Sequence, residues 1–219
     1  MVTRHRFRGA IAGVGSTSGV RVVVGRWVES PWGRFADVMV ERPDGHRLLL
    51  APTEQVAGLV TTTYTFDEVR LEPVEVLVGD GRGDLPGSVA EGAGRASGSW
   101  QVRSTSLSLD LSTGARTRLG RLVRLVPAPV AASPAFATVV DPVARLVMDG
   151  VRTRGVARPG RREYYGATDV HAVTGMTGQL DGIPLGALAP VDPPCRFGFS
   201  STPRQPSVTE VVTTIVDLD

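Results

Sequence analysis

The chain has 219 residues, 42% of them hydrophobic and 21% charged, and a formal net charge of +2. A globular chain of this size buries a self-sufficient core without disulfides or structural metal. All 24 basic residues are arginine, which excludes a Walker-type phosphate loop and lysine Schiff-base chemistry, PLP enzymes included.

Strand signals begin at once. Residues 5–13 read as a strand, Ser16–Gly19 as a turn, and the valine-dense residues 20–28 as a second strand. A turn at Glu29–Gly33 leads to a third strand at 34–42, in which Ala36, Val38 and Val40 face one side and Asp37, Met39 and Glu41 the other. Pro43-Asp44-Gly45 supplies the positive φ of a tight hairpin before a strand at 46–51. Residues 59–70, dense in β-branched and aromatic side chains, predict a further strand that continues after a kink at 72–78. Residues 79–99 hold seven glycines and no aromatic residue, and are expected to form a surface loop inserted in one domain spanning 1–219.

Alternation resumes at 100–111, where Leu107, Leu109 and Leu111 share a face. Ser112-Thr113-Gly114 reads as a second hairpin turn. The next stretch, 116–126, fits either a strand or a helix with Leu119, Leu122, Val123 and Val126 inside and Arg118, Arg121 and Arg124 outside. The hairpin signal and Gly120 favour the strand. Ser133-Pro134 and Asp141-Pro142 each place a capping residue before proline, so 133–150 predicts a short kinked or broken helical insert ending at Gly150. Strands follow at 163–175 and at 174–180 with 183–188 around Asp181-Gly182, and a terminal strand at 207–218 is expected to pair inside the sheet.

Together these segments predict a mainly β chain of about eleven antiparallel strands, a closed or nearly closed barrel or two packed sheets. The turn-rich pattern resembles the calycin or lipocalin style of barrel, which implies an interior able to hold a small apolar molecule.

The other residues bound the chemistry. Cys195 is alone, which excludes an internal disulfide. No apolar run approaches the roughly 18 residues of a membrane helix, and the apolar start is too short and Gly-rich for a signal peptide. The expectation is a cytoplasmic protein without a membrane partner. Residues 100–165 carry 11 arginines against 4 acids, and residues 166–219 carry 2 against 6, so the two stretches are expected to neutralise one another.

Tyr165, Asp169 and His171 form the best catalytic candidate. On a regular strand they lie on one face, with the carboxylate placed to orient the imidazole and the phenol to donate a proton. The same pattern also fits a polar, solvent-facing strand side. Trp32, Asp37 and Tyr64 are the candidate ligand-binding residues, Trp32 as an indole at a barrel mouth. His5, His46, His171 and Cys195 lack metal-site spacing, so no metal or other cofactor is expected. Cys195 beside Arg196 is thin ground for a nucleophile. Residues 13–19 suit a hairpin better than a phosphate loop. The arginines at 116–124 have no interleaved aromatic residues, which argues against nucleic acid.

Three readings follow, in order of preference. The first is a small-ligand-binding module. The second is a cofactor-independent acid–base enzyme using Tyr165, Asp169 and His171. The third is an interaction protein whose arginine-rich segment holds an acidic partner.

Overall fold

The computed structural model describes residues 2–79, 98–131, 133–147, 151–158 and 161–218. Most of the predicted glycine-rich loop and the expected helix end at Gly150 lie outside the described residues.

The elements run β1 (Val2–Ser16), β2 (Arg21–Glu29), β3 (Phe35–Glu41), β4 (Arg47–Ala51), α1 (Glu54–Thr61), β5 (Glu68–Leu71), β6 (Glu75–Gly79), β7 (Ser99–Arg103) and β8 (Leu107–Arg116). After α2 (Arg118–Val123), α3 (Ala128–Ala131) and α4 (Pro134–Val147) come β9 (Arg154–Arg158), β10 (Arg161–Leu180), β11 (Ile183–Pro184), β12 (Leu188–Ala189) and β13 (Ser207–Leu218). The chain is mainly β, 52% strand and 14% helix, and ten strands curl into a half-barrel in the order β5-β4-β3-β2-β1-β13-β10-β8-β7-β6. It is one sheet, not two packed ones. The terminal strand β13 sits between β1 and β10, as its hydrophobic pattern predicts.

Turn chemistry sets two of the folds in the chain. Asp181 and Gly182 both have positive φ, 52° and 77°, as a primed two-residue turn requires. Gly45, at φ 90°, closes the β3–β4 hairpin.

Three local expectations are corrected. Residues 59–67 are not strand, and only 68–70 of the expected 59–70 strand pair, as the start of β5. Thr53 caps α1 by accepting from the Val56 amide, and Val56, Ala57 and Val60 bury one face of that helix. The hydroxyls of Thr61 and Thr62 bond back to the carbonyls of Ala57 and Leu59 at the helix end. The crossover through α1 allows β5 to lie parallel to β4. Ser112-Thr113-Gly114 is not a turn, because β8 runs straight through it. Gly114 is needed there because a Cβ would lie 2.5 Å from Thr174 Cγ2. Finally, 118–123 is a helix, capped by Thr117 on the Gly120 amide. Gly120 approaches β10 so closely that a Cβ would sit 2.2 Å from the Val170 carbonyl. The glycine that argues against a helix by propensity permits the helix to dock.

The two faces of the sheet have different partners. On the concave face, alternate residues such as Val24, Val38 and Leu50 meet Trp100, Leu107, Leu109 and Leu111 from the far end of the sheet. These side chains are fully buried, so the inside of the curl is filled. This corrects the expectation of a ligand held within the barrel. On the convex face, α1 packs on Leu49 and Ala51, and Val191, Cys195 and Phe197 pack on Val23. A buried ion cluster fastens this second cover. Glu41, with no exposed surface, takes the Arg21 guanidinium at 3.2 Å and both the amide and the guanidinium of Arg196.

Ser133 caps α4 through the Phe136 amide, as expected. Asp141 instead accepts from the amides of Thr153 and Arg154, and the helix continues through Pro142. Among the described residues no helix is long and apolar enough to cross a membrane.

Candidate functional site

Odd-numbered residues of β2 and β3 point to the convex face, because their even-numbered neighbours fill the core. The register pairs Val23 with Met39, Gly25 with Asp37 and Trp27 with Phe35. These residues, with Phe7 and Ile11 of β1, Leu59 and Val60 of α1, and Glu163 and Tyr165 of β10, line a chamber of about 550 Å³, its mouth included. A second chamber of about 930 Å³, its open side included, lies between β10, β13, β1 and residues 195–203. Ile11, Val23, Met39, Tyr64 and Tyr165 line both, so the chambers adjoin across these side chains.

The dividing wall is hydrogen-bonded. The segment after α1 lies against the start of β10, and three consecutive residues meet three alternate ones. Arg161 donates to the Thr62 hydroxyl, Thr63 donates to Glu163, and the hydroxyls of Tyr64 and Tyr165 bond one another. Tyr165 in turn donates to Glu163 at 2.8 Å. Burial, reinforced by the Glu163 charge, pushes both phenols well above the ordinary tyrosine range. They are neutral hydrogen-bonding groups, not bases.

Asp37 is the second carboxyl of the smaller chamber. It is 4% exposed, and Trp27 Nε1 donates to its Oδ1 at 3.0 Å. Burial raises its carboxyl from 3.8 to about 7, against a lowering by the Trp27 bond. Gly25 makes room for this pair, since a Cβ there would lie 2.5 Å from Asp37 Oδ1 and 2.9 Å from Trp27 Nε1.

Of the candidate ligand-binding residues, the structure brings Asp37 and Tyr64 into the same chamber wall. Trp32 stands one layer back, stacked on Phe7 with ring centroids 5.6 Å apart.

The catalytic candidate is split. Tyr165 and Ala167 line the groove, with Ala167 opposite Val211. The next paired residue is Asp169, opposite Glu210, so Thr168 is an extra residue in a bulge. The bulge turns Asp169 and His171 to the other face and leaves Val170 in the groove. Asp169 and His171 do stay together, with Nε2 3.5 Å from Oδ2. Asp169, however, is held by the Arg116 guanidinium at 2.7 Å. Burial alone would raise its carboxyl, but Arg116 and the Val170 amide outweigh that and hold it below the ordinary range. Asp169 therefore anchors the β8–α2 junction to β10. This pair, and Arg124 at 3.9 Å from the same carboxylate, bears out part of the expected neutralisation. Asp181 instead pairs with Arg42 and Arg70 of the first half of the chain.

Cys195 is buried, and its thiol is pushed up to about 12 by burial and by the charge of Glu41, which leaves little thiolate for nucleophilic attack. Among the described residues no three His, Cys, Asp or Glu side chains group so as to hold a metal ion.

Sequence reasoning missed Trp27 and Glu163. The signal available for each was its two-residue spacing from a residue already singled out or facing the same side, Glu163 from Tyr165 and Trp27 from Gly25 and Val23. No protein-family model matches the chain, and neither a curated protein nor a solved structure does so.

Proposed function

We propose that this protein binds a small, largely apolar molecule in the two-chambered groove on the convex face of its sheet. The observation that carries this reading is the pair of adjoining chambers with largely apolar and aromatic walls, the lining expected of a small-molecule site. The polar groups on these walls, the Tyr64 and Tyr165 hydroxyls and the Asp37 carboxyl among them, suit a ligand carrying a few polar atoms on an apolar body. Fluorescence titration with an apolar dye, followed by native mass spectrometry of the protein as purified, tests the proposal. Ala167→Phe, which fills the larger chamber, should weaken dye binding at least tenfold while the circular dichroism spectrum is unchanged. Equal binding by the variant would place the dye elsewhere and remove the support.

A second reading, association with an acidic partner, draws on α2. Arg118 and Arg121 are exposed, and beside them Leu122 is 63% and Leu125 79% exposed. Binding to a polyglutamate column that is abolished by salt supports this reading, and flow-through at low salt refutes it.

A further inference from the structure

We infer that the smaller chamber is an ammonium site, so that the apolar molecule proposed above carries a cationic amine at one end. This inference rests on that reading of the groove and adds the chemistry of the ligand's head.

Three features of the chamber point the same way. Its rings, Phe7, Trp27, Phe35, Tyr64 and Tyr165, come from five different parts of the fold and surround one space. Ring faces carry negative potential and attract a cation, most strongly where water is excluded. Among the described residues its carboxylic acids are Asp37 and Glu163, and no arginine or histidine lines it. In a chain with 24 arginines and a sequence pI near 9.2, a cavity walled by two acids and no base is suited to a positive guest and not to an anion.

The third feature is the state of Asp37. Only its Oδ1 takes a hydrogen bond from the protein, from Trp27. Oδ2 has no protein donor among the described residues and is not one of the fully buried atoms left without a partner, so on a side chain otherwise almost wholly buried it is the oxygen that keeps access to the chamber. A buried carboxylate needs a partner, and a bound ammonium provides one. Glu163 is already held by Thr63 and Tyr165, so it contributes charge at the chamber's edge, and Asp37 makes the direct contact. The ionisable groups facing Asp37 are Tyr64 from the segment after α1 and Glu163 and Tyr165 from β10. Both phenols stay neutral, so the pH response comes from the carboxyls, and Asp37, the one in direct contact with the guest, is the one the Asp37→Asn variant isolates. A cation binds the ionised form and draws its proton away. Affinity for a permanently charged guest therefore rises with pH, by about tenfold from one unit below the midpoint to one unit above it.

The test uses choline, which bears a fixed charge, and dimethylbutanol, in which carbon replaces the quaternary nitrogen. Both are titrated calorimetrically into the intact protein between pH 5.5 and 8.5. Choline should bind at least tenfold more tightly than its isostere at pH 8, and only choline should gain affinity with pH. Asp37→Asn keeps the Trp27 acceptor and should abolish both the preference and the pH dependence, with an unchanged circular dichroism spectrum. Equal binding of the two compounds, or affinity for choline that falls as pH rises, overturns the ammonium site. If neither binds while the apolar dye still does, the charge assignment fails and the apolar groove stands. If the dye fails as well, both fall.

Discussion

Asp37 makes the folded protein sensitive to pH in a way that one substitution exposes. Its carboxyl moves from 3.8 to about 7 on folding because burial disfavours the charged form. Below pH 3.8 both states keep the proton, and the group makes no pH-dependent difference. Between the two values the unfolded chain releases it and the folded chain does not, so stability falls as pH rises. Above about 7 the folded carboxyl is charged too and the loss is complete. At about 1.4 kcal/mol for each tenfold in proton affinity, the loss is about 4 kcal/mol. Asp37→Asn has the same shape, keeps the Trp27 hydrogen bond and cannot ionise. Urea unfolding of both proteins in a buffer series from pH 4 to 8.5 isolates the effect, because all other titrating groups cancel in the difference. Relative to wild type, the variant should gain about 4 kcal/mol between the two ends of the series. A difference that stays flat across that range refutes the assignment of a buried, proton-holding Asp37. A choline-saturated wild type should lose less stability at high pH than the free protein, which links this measurement to the ammonium site.

The other predictions concern the wall and the packing. Tyr165→Phe removes the donor to Glu163 and the partner of Tyr64, and should cost about 1–3 kcal/mol by denaturant melts. Tyr64→Phe leaves the Glu163 bond intact and should cost less. If the order is reversed, the direction assigned to the hydroxyl chain is wrong. Gly58 lies in α1 with open space around it, so Gly58→Ala should stabilise by about 0.5–1 kcal/mol. Gly120→Ala should destabilise by about 1–3 kcal/mol, because the Val170 carbonyl blocks the methyl group. Thermal melts that moved the same way for both would show that the α2–β10 contact is looser than described. Arg21→Leu strips a buried partner from Glu41 and should cost about 3–5 kcal/mol, most of it recovered when Glu41→Leu is added. Failure of the second change to rescue the first would mean that Arg21 contributes through packing.

Much of the sheet was legible because period-two alternation reports one buried face. Ala36, Val38 and Val40 face the core with Leu107, Leu109 and Leu111, as read. Local signals misled where a residue served a distant contact. Gly114 and Gly120 look like a turn and a helix breaker, yet each is small because β10 passes close by. The threonine run at 61–63 has strand composition, but its hydroxyls end a helix and grip β10. The candidate triad failed for a related reason. Alternation along residues 163–171 assumes an unbroken ladder, and the bulge at Thr168 reverses it.

The amino-acid pattern alone determined the β class, the Pro43-Asp44-Gly45 and Asp181-Gly182 turns, the inner faces of β3 and β8, and the exclusion of lysine chemistry. All of these depend on near neighbours in the chain and on composition. Tertiary structure alone decided that the curl is filled and that the open groove lies on the other face. It also decided that Asp37, Tyr64 and Glu163 share a chamber although they are far apart in sequence. Those outcomes depend on how far the sheet bends and where its covers land. They are sums of many weak contacts between distant segments, and no single stretch of sequence carries them.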